Sequence, residues 1–211
     1  GRGREAAAVR LLVVGNAVLD ITYDVERLPV PGETLLARSR RAEVGGKGLN
    51  QAVVARRAGA LVRFLAAVGM DLGGGLVRSR LMTEDIAPDG LHLVDDAPTD
   101  ESVILVADSG ENAIVSTAGA SASLPVQDVL AAIDAMASGD LLVMQGNLGR
   151  TLTEAALRHA DERGLVTLLN PAPVAFAYQG LLELVDIAVV NAVEAATRRS
   201  AELANAAKGK S

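Results

Sequence analysis

The chain contains no cysteine and no tryptophan, and only two phenylalanines and two tyrosines among its 211 residues. Without cysteine there is no disulfide, no thiol nucleophile and no cysteine-ligated metal, a composition that fits a reducing cytoplasm. With so few aromatics the chain lacks platforms on which bases stack. Positive charge is short as well: 20 Lys and Arg stand against 26 Asp and Glu, a formal net charge of −6. That leaves no basic field for a phosphate backbone, so nucleic acid is not an expected partner. Nor is there a membrane span. The longest uncharged stretch, Leu165–Leu182, carries Asn170, Pro171, Pro173, Gln179 and Gly180, which break an apolar helix. Arg2 and Arg4 ahead of an apolar run mimic a signal peptide faintly. The run continues into Gly15, Asn16 and Asp20 with no clear cleavage site, as a first β-strand would.

What the chain does have is apolar aliphatic mass. Half its residues are apolar, enough for a sizeable core in one large domain. Short apolar runs alternate with helical patterns. Strands are predicted at Arg10–Gly15, Val62–Val68, Asp140–Met144, Leu165–Leu169 and Asp186–Val190, and helices at Lys47–Ala58, Gly73–Met82, Pro125–Ala137, Thr151–Arg163 and Gln179–Leu184. Pro125 suits a first helical turn, Thr151 could cap with Glu154 three residues on, and Gly59 and Gly164 suit helix C-termini. This alternation predicts an α/β fold, a three-layer α/β/α sandwich with a mostly parallel central sheet. Two segments, about 21–44 and 91–118, break the rhythm with strand-like alternation and a hairpin signal around Asp108–Asn112. They are expected to form a small β-sheet lid inserted in a single domain, 1–211.

The segment Val44-Gly45-Gly46-Lys47-Gly48-Leu49-Asn50-Gln51-Ala52 carries the most chemistry. Glycines let backbone N–H groups approach a ligand, and a helix N-terminus favours electron-rich oxygen. Lys47 and Asn50 add side-chain donors. The segment could grip a polyhydroxylated or anionic small molecule, or be an ordinary strand-to-helix turn. It is not a Walker-type phosphate loop, since Gly46-Lys47 is followed by Gly48 and position 41 is Arg41. The turn after the first strand has only Gly15 where a dinucleotide fingerprint needs three glycines.

An ordered set of short pieces accompanies it: Gly15…Asp20, Pro31-Gly32-Glu33, Gly69-x-Asp71-x-x-Gly74, Gly110-Glu111-Asn112 with Ala118-Gly119-Ala120, Gln145-Gly146-Asn147, Asn170-Pro171-Ala172-Pro173 and Asn191-x-x-Glu194. Over roughly residues 10–194 the chain resembles the ribokinase-like (PfkB) carbohydrate kinases. The resemblance implies a helix-sandwiched sheet with a β lid, and transfer of the ATP γ-phosphoryl group to a sugar hydroxyl with Mg2+, in some members with K+. It implies homodimerisation through the lid. By resemblance, Asp20 accepts hydrogen bonds from sugar hydroxyls and Gly45 and Gly46 offer N–H groups. Lys47 and Asn50 orient the sugar, and Asn147 contacts it from the lid side. Asn191 and Glu194 match the motif that organises magnesium and phosphate. Each residue has a plainer reading as well: Asp20 as a strand-end turn former, Lys47 as a solvated lysine, Asn50 as a helix cap, Asn147 as a loop residue and Glu194 as an ion-pair partner of Arg198. His92 and His159 sit in no ligand-like cluster.

Two positions depart from ribokinase-type members: Val18 stands where an Asn often binds sugar, and Asn147 replaces an acidic residue. The late motif Asp-Thr-x-Gly-Ala-Gly-Asp, which implies the catalytic base and anion hole, has no counterpart. Asp134-Ala135-Met136-Ala137-Ser138-Gly139-Asp140 keeps its ends, but lacks the Thr and the middle glycine and leads into a strand-like run. The expectation is a sugar kinase incomplete at its C-terminus, which could be inactive as it stands, with a non-catalytic sugar-binding or dimerisation module as the alternative.

Overall fold

The structure, a computed structural model, describes residues 9–189. Six strands form the central sheet: β1 (Arg10–Val14), β4 (Leu61–Gly69), β5 (Leu91–Val94), β8 (Leu141–Gln145), β9 (Val166–Asn170) and β10 (Ile187–Ala188). Their order is β10-β9-β8-β1-β4-β5, and every pairing is parallel. Helices α1 (Lys47–Arg57) and α2 (Leu72–Thr83) cover one face, and α4 (Val126–Asp134) and α5 (Arg150–Glu162) the other. A parallel sheet coated on both faces needs strands that are apolar throughout rather than alternating. Leu12, Val13 and Val14 of β1 are all fully buried. Leu12 and Val14 join Leu142, Met144, Ile133 and Leu157 on the α4/α5 side. Val13 joins Phe64, Val68, Leu49 and Val77 on the α1/α2 side. The three-layer α/β architecture is therefore as the apolar pattern predicts.

A second sheet of four strands has the order β3-β2-β6-β7, from β2 (Val18–Val25), β3 (Ser39–Gly45), β6 (Glu101–Ala107) and β7 (Asn112–Ser116). Its β2–β6 pairing is parallel and the outer two are antiparallel. A short helix, α3 (Gly119–Ala122), follows β7.

Local expectations are corrected in four places. Leu91–Val94 does not belong to the small sheet; it pairs with β4 at the edge of the central one. The Gln179–Leu184 helix is reduced to a 3₁₀ turn at Leu182–Leu184, because Gly180 takes a left-handed φ of 76° that a helix cannot continue. Thr151 is not a cap; α5 starts one residue earlier with Gly149 as its N-cap. Among the described residues, the strand expected at Asp186–Val190 spans Ile187–Ala188. Gly59 and Gly164 adopt φ of 94° and 71° where α1 and α5 stop, as C-terminal glycines do.

The loop from β2 to β3 is stapled by Arg27 and Glu33. Arg27 Nη1 donates to Glu33 Oε2 at 2.7 Å, its Nη2 donates to Oε1, and Val30 N also donates to Oε2 at 3.1 Å. The guanidinium contact is the main reason the Glu33 carboxyl is lowered to about 2. The bonds favour the charged form, so their contribution is present above the ordinary glutamate pKa of 4.5 and is lost as pH falls towards 2. A carboxyl NMR titration is expected to give a Glu33 midpoint near 2, returning towards the ordinary value in Arg27→Gln. An unshifted midpoint in the unchanged protein would count against the staple.

Candidate functional site

The C-terminal ends of β1 and β8 open into a cleft of about 580 Å³ that the second sheet overhangs. The cleft depends on two turns that cross in contact. One is Gly15-Asn16-Ala17, between β1 and β2; the other is Gly45-Gly46-Lys47-Gly48, between β3 and α1. A Cβ on Gly48 would lie 2.7 Å from both Gly15 Cα and Asn16 N, and one on Gly45 would lie 1.9 Å from Asp20 Oδ2. Gly46, the N-cap of α1, has φ 105°. These glycines are therefore needed first for packing. Asn16 takes two of the donors at the start of α1: its Oδ1 accepts from Gly48 N at 3.3 Å and its carbonyl from Leu49 N at 3.1 Å. The helix start is thus partly self-satisfied, and the polar reach into the cleft falls to side chains.

Asp20, Lys47, Asn50 and Asn147 all line this cleft, with the backbone of Gly46; Gly45 lies beside it under Asp20. Asn50 is exposed, and the N-cap of α1 is Gly46, with no side-chain cap bond. Asp20 is half-buried on β2. Desolvation raises its pKa above 3.8; a hydrogen bond from Ser102 opposes that, Glu43 adds to it, and Lys47 offsets part of it. Asn147 follows β8, so it belongs to the central-sheet side and not the lid side. A Cβ on Gly146 would sit 2.3 Å from the carbonyls of Pro171 and Pro173. Gly146 N donates to Asn170 O at 2.8 Å. The Asn170–Pro173 segment, with its cis Ala172–Pro173 bond, therefore lies directly against Gly146. Both Nδ2 and Oδ1 of Asn147 are buried without a protein partner, an arrangement that leaves hydrogen-bonding capacity for a ligand or water. Beneath it, fully buried Gln145 donates through Nε2 to Gln51 Oε1 at 2.6 Å.

Apart from Ala118, the overhanging wall comes from residues the motif pattern misses. Ser102 and Ile104 of β6 pair across the ladder with Ser116 and Ile114 of β7, and all four face the cleft with Thr117, Ala118 and Ser121. Their period-2 spacing in a hairpin is the signal that could have found them. Val18 also lines the cleft.

Asn191 and Glu194 lie outside the described residues. The Asp134–Asp140 segment is at the other end of β8: Asp134 pairs with His159 at 3.0 Å and Asp140 accepts from Ala137 N, so neither carboxylate reaches the cleft. A second cavity, about 330 Å³, lies at that opposite end and is lined by Arg10, Arg56 and Arg63. Arg10 and Arg56 donate there to the carbonyls of Ala135 and Asp85, just beyond helix ends, which accounts for their presence. Among the described residues no group of three or more His, Asp or Glu could hold a metal ion. Among them, too, no helix is long and apolar enough to cross a membrane.

The profile of the pfkB family carbohydrate kinases matches residues 9–210. The chain belongs to that family. Ribokinase of Haemophilus influenzae is 34% identical over 195 residues, covering 92% of this chain and 64% of that protein. Among solved pfkB-type structures, ribokinase from Giardia lamblia aligns with a TM-score of 0.76 at 27% identity over 87% of this chain and 58% of its own. Arabidopsis thaliana ribokinase, solved with ribose and ATP, aligns with a TM-score of 0.71 at 25% identity over 87% and 60%. The chain thus spans less than two thirds of the length of each of these relatives.

Proposed function

We propose that this pfkB-family chain binds the sugar acceptor of an ATP-dependent carbohydrate kinase, in the cleft between the two sheets. The observation that carries the reading is convergence: the Asp20 carboxylate and the Lys47 and Asn50 donors line one space together with Asn147, whose buried amide has no protein partner. A polyol needs such a mixture, acceptors for its hydroxyl protons and donors for its oxygens. Ribose or a related sugar is the expected acceptor, since ribose and ATP occupy the Arabidopsis relative. In the reaction a sugar hydroxyl oxygen bonds to the γ-phosphorus, ADP leaves, and the hydroxyl proton passes to a base. Bound Mg2+ would supply charge neutralisation on the phosphates, with Asn191 and Glu194 as the proposed organisers and K+ as a further candidate ion. The described residues bind and orient the acceptor; neither the base nor the nucleotide is assigned to them.

The four-stranded sheet acts as the lid of a single domain, from about 21–44 and the 101–116 hairpin. Its outer side exposes Val103 and Val115, cross-strand partners, which supports homodimerisation lid to lid. The cytoplasm is the proposed location. A non-catalytic sugar-binding or dimerisation module is the second reading, favoured by a cleft whose described lining serves an acceptor only. Titration of ribose, 2-deoxyribose, fructose and adenosine with ATP and Mg2+, reading ADP release, separates the two. Sugar-dependent ADP release supports the kinase; sugar binding without it supports the module; neither activity nor binding contradicts both.

A further inference from the structure

Among the described residues Asp100 is the only carboxylate in the fully buried class, 1% exposed. It sits where the chain leaves the central sheet for β6. Its partners there are backbone amides rather than a cation. Oδ1 accepts from Ala120 N at 3.0 Å and Oδ2 from Ser121 N at 3.1 Å. These are donors at the start of α3, whose own N-cap residue, Ala118, has no side chain able to cap. The missing local cap is thus supplied from about twenty positions upstream. There is a physical reason for the arrangement. Ala118 itself lines the cleft, and a polar cap at that position would stand in the space a ligand uses. Capping from behind satisfies the amides and leaves the cleft wall clear.

The same residue holds the opposite wall. Its carbonyl accepts from Leu19 N at 2.9 Å, one residue before Asp20. Its neighbour Glu101 closes the next link: Glu101 N donates to Thr117 Oγ1 at 2.8 Å and Thr117 N donates back to Glu101 O at 2.9 Å. The strand carrying Asp20 and the Thr117–Ser121 turn are therefore tied to a single buried point.

We propose that Asp100 is a positioning residue of the sugar cleft, which sets the Thr117–Ser121 wall against Asp20 by bonding the first amides of α3. The inference rests on the sugar-binding reading of the cleft. Its test is calorimetric titration of the 211-residue chain with D-ribose, alongside thermal unfolding and amide exchange. Asp100→Ala is expected to raise the ribose Kd at least tenfold and to speed exchange of the Ala120 and Ser121 amides by a similar factor. Asp100→Thr, which keeps one acceptor, is expected to recover part of both, and it serves if Asp100→Ala does not fold. The control is Leu157→Ala, in the α5 core away from the cleft. It is expected to lower Tm while leaving the Kd within twofold. Equal ribose affinity in the unchanged chain and Asp100→Ala, or an equal loss of affinity in Leu157→Ala, would overturn the positioning role alone. Failure of the unchanged chain to bind ribose or any of the other sugars would remove the cleft reading, and this inference with it.

Discussion

Asp20→Asn is expected to weaken sugar binding by about 10- to 100-fold without lowering Tm. The loss follows from the chemistry of the contact. A hydrogen bond to a charged group contributes about 1.5–3 kcal/mol, and each 1.4 kcal/mol is about tenfold in affinity. An amide in the same place has half the accepting capacity and no charge. The stability half follows from burial. Asp20 is held above its ordinary pKa mainly by desolvation, so its charged form is disfavoured in the folded state. The sign is that of a raised acid: the folded state is favoured at low pH, and the benefit is lost as pH rises through the raised pKa. At neutral pH the charge is a cost, and an uncharged isostere removes it. The two effects therefore run in opposite directions at one residue. Sugar affinity should also fall as pH drops through that raised value, which lies above 3.8, and this acid limb should vanish in Asp20→Asn. Thermal unfolding and ribose titration across pH check both halves. A variant that loses stability together with affinity would identify Asp20 as a structural residue.

Gly48→Ala is expected to destabilise the fold by about 1–3 kcal/mol, the usual cost of forcing a methyl into filled space. Sequence logic alone gives the other sign, since alanine is about 1 kcal/mol better than glycine inside a helix. Geometry decides between them. The new Cβ would lie 2.7 Å from Asn16 N and Gly15 Cα and 2.9 Å from Asn16 O, all backbone atoms that cannot rotate aside. Because those atoms form the turn leading to Asp20, sugar affinity should fall with stability. Gly75→Ala is the matched control. Gly75 is also helical, in α2, but a methyl added there would meet nothing within 4 Å, and the variant should gain about 0.5–1 kcal/mol. Chemical denaturation of the two variants gives the comparison. A stabilised Gly48→Ala would show that the two turns are not in contact as described.

The layers of the fold were legible because burial on both faces writes itself into composition. Leu11–Val14, Phe64–Val68 and Leu141–Met144 are continuous apolar runs, and Gly59 and Gly164 mark where helices end. What was not legible depends on partners far away in sequence. Leu91–Val94 is too short for its own pattern to say which sheet it joins; pairing with β4 decides it. The Gln179–Leu184 segment has helical spacing, yet one left-handed glycine stops it. At the cleft, the motif residues Asp20, Lys47, Asn50 and Asn147 do come together. Their surroundings were hidden. Nothing local shows that Asn16 occupies two of the donors at the start of α1, or that Ser102 and Ser116 bond across the wall of the cleft. Asp100 carries no motif at all, and only its burial and its two amide partners reveal it.

The most direct test of a sugar-binding cleft is calorimetric titration of D-ribose into the unchanged chain and into Asp20→Asn, side by side at neutral pH. The expected result is saturable one-site binding by the unchanged chain and an affinity lower by about 10- to 100-fold in the variant. No heat of binding for ribose or for the other sugars, or equal affinity in the two proteins, would contradict it.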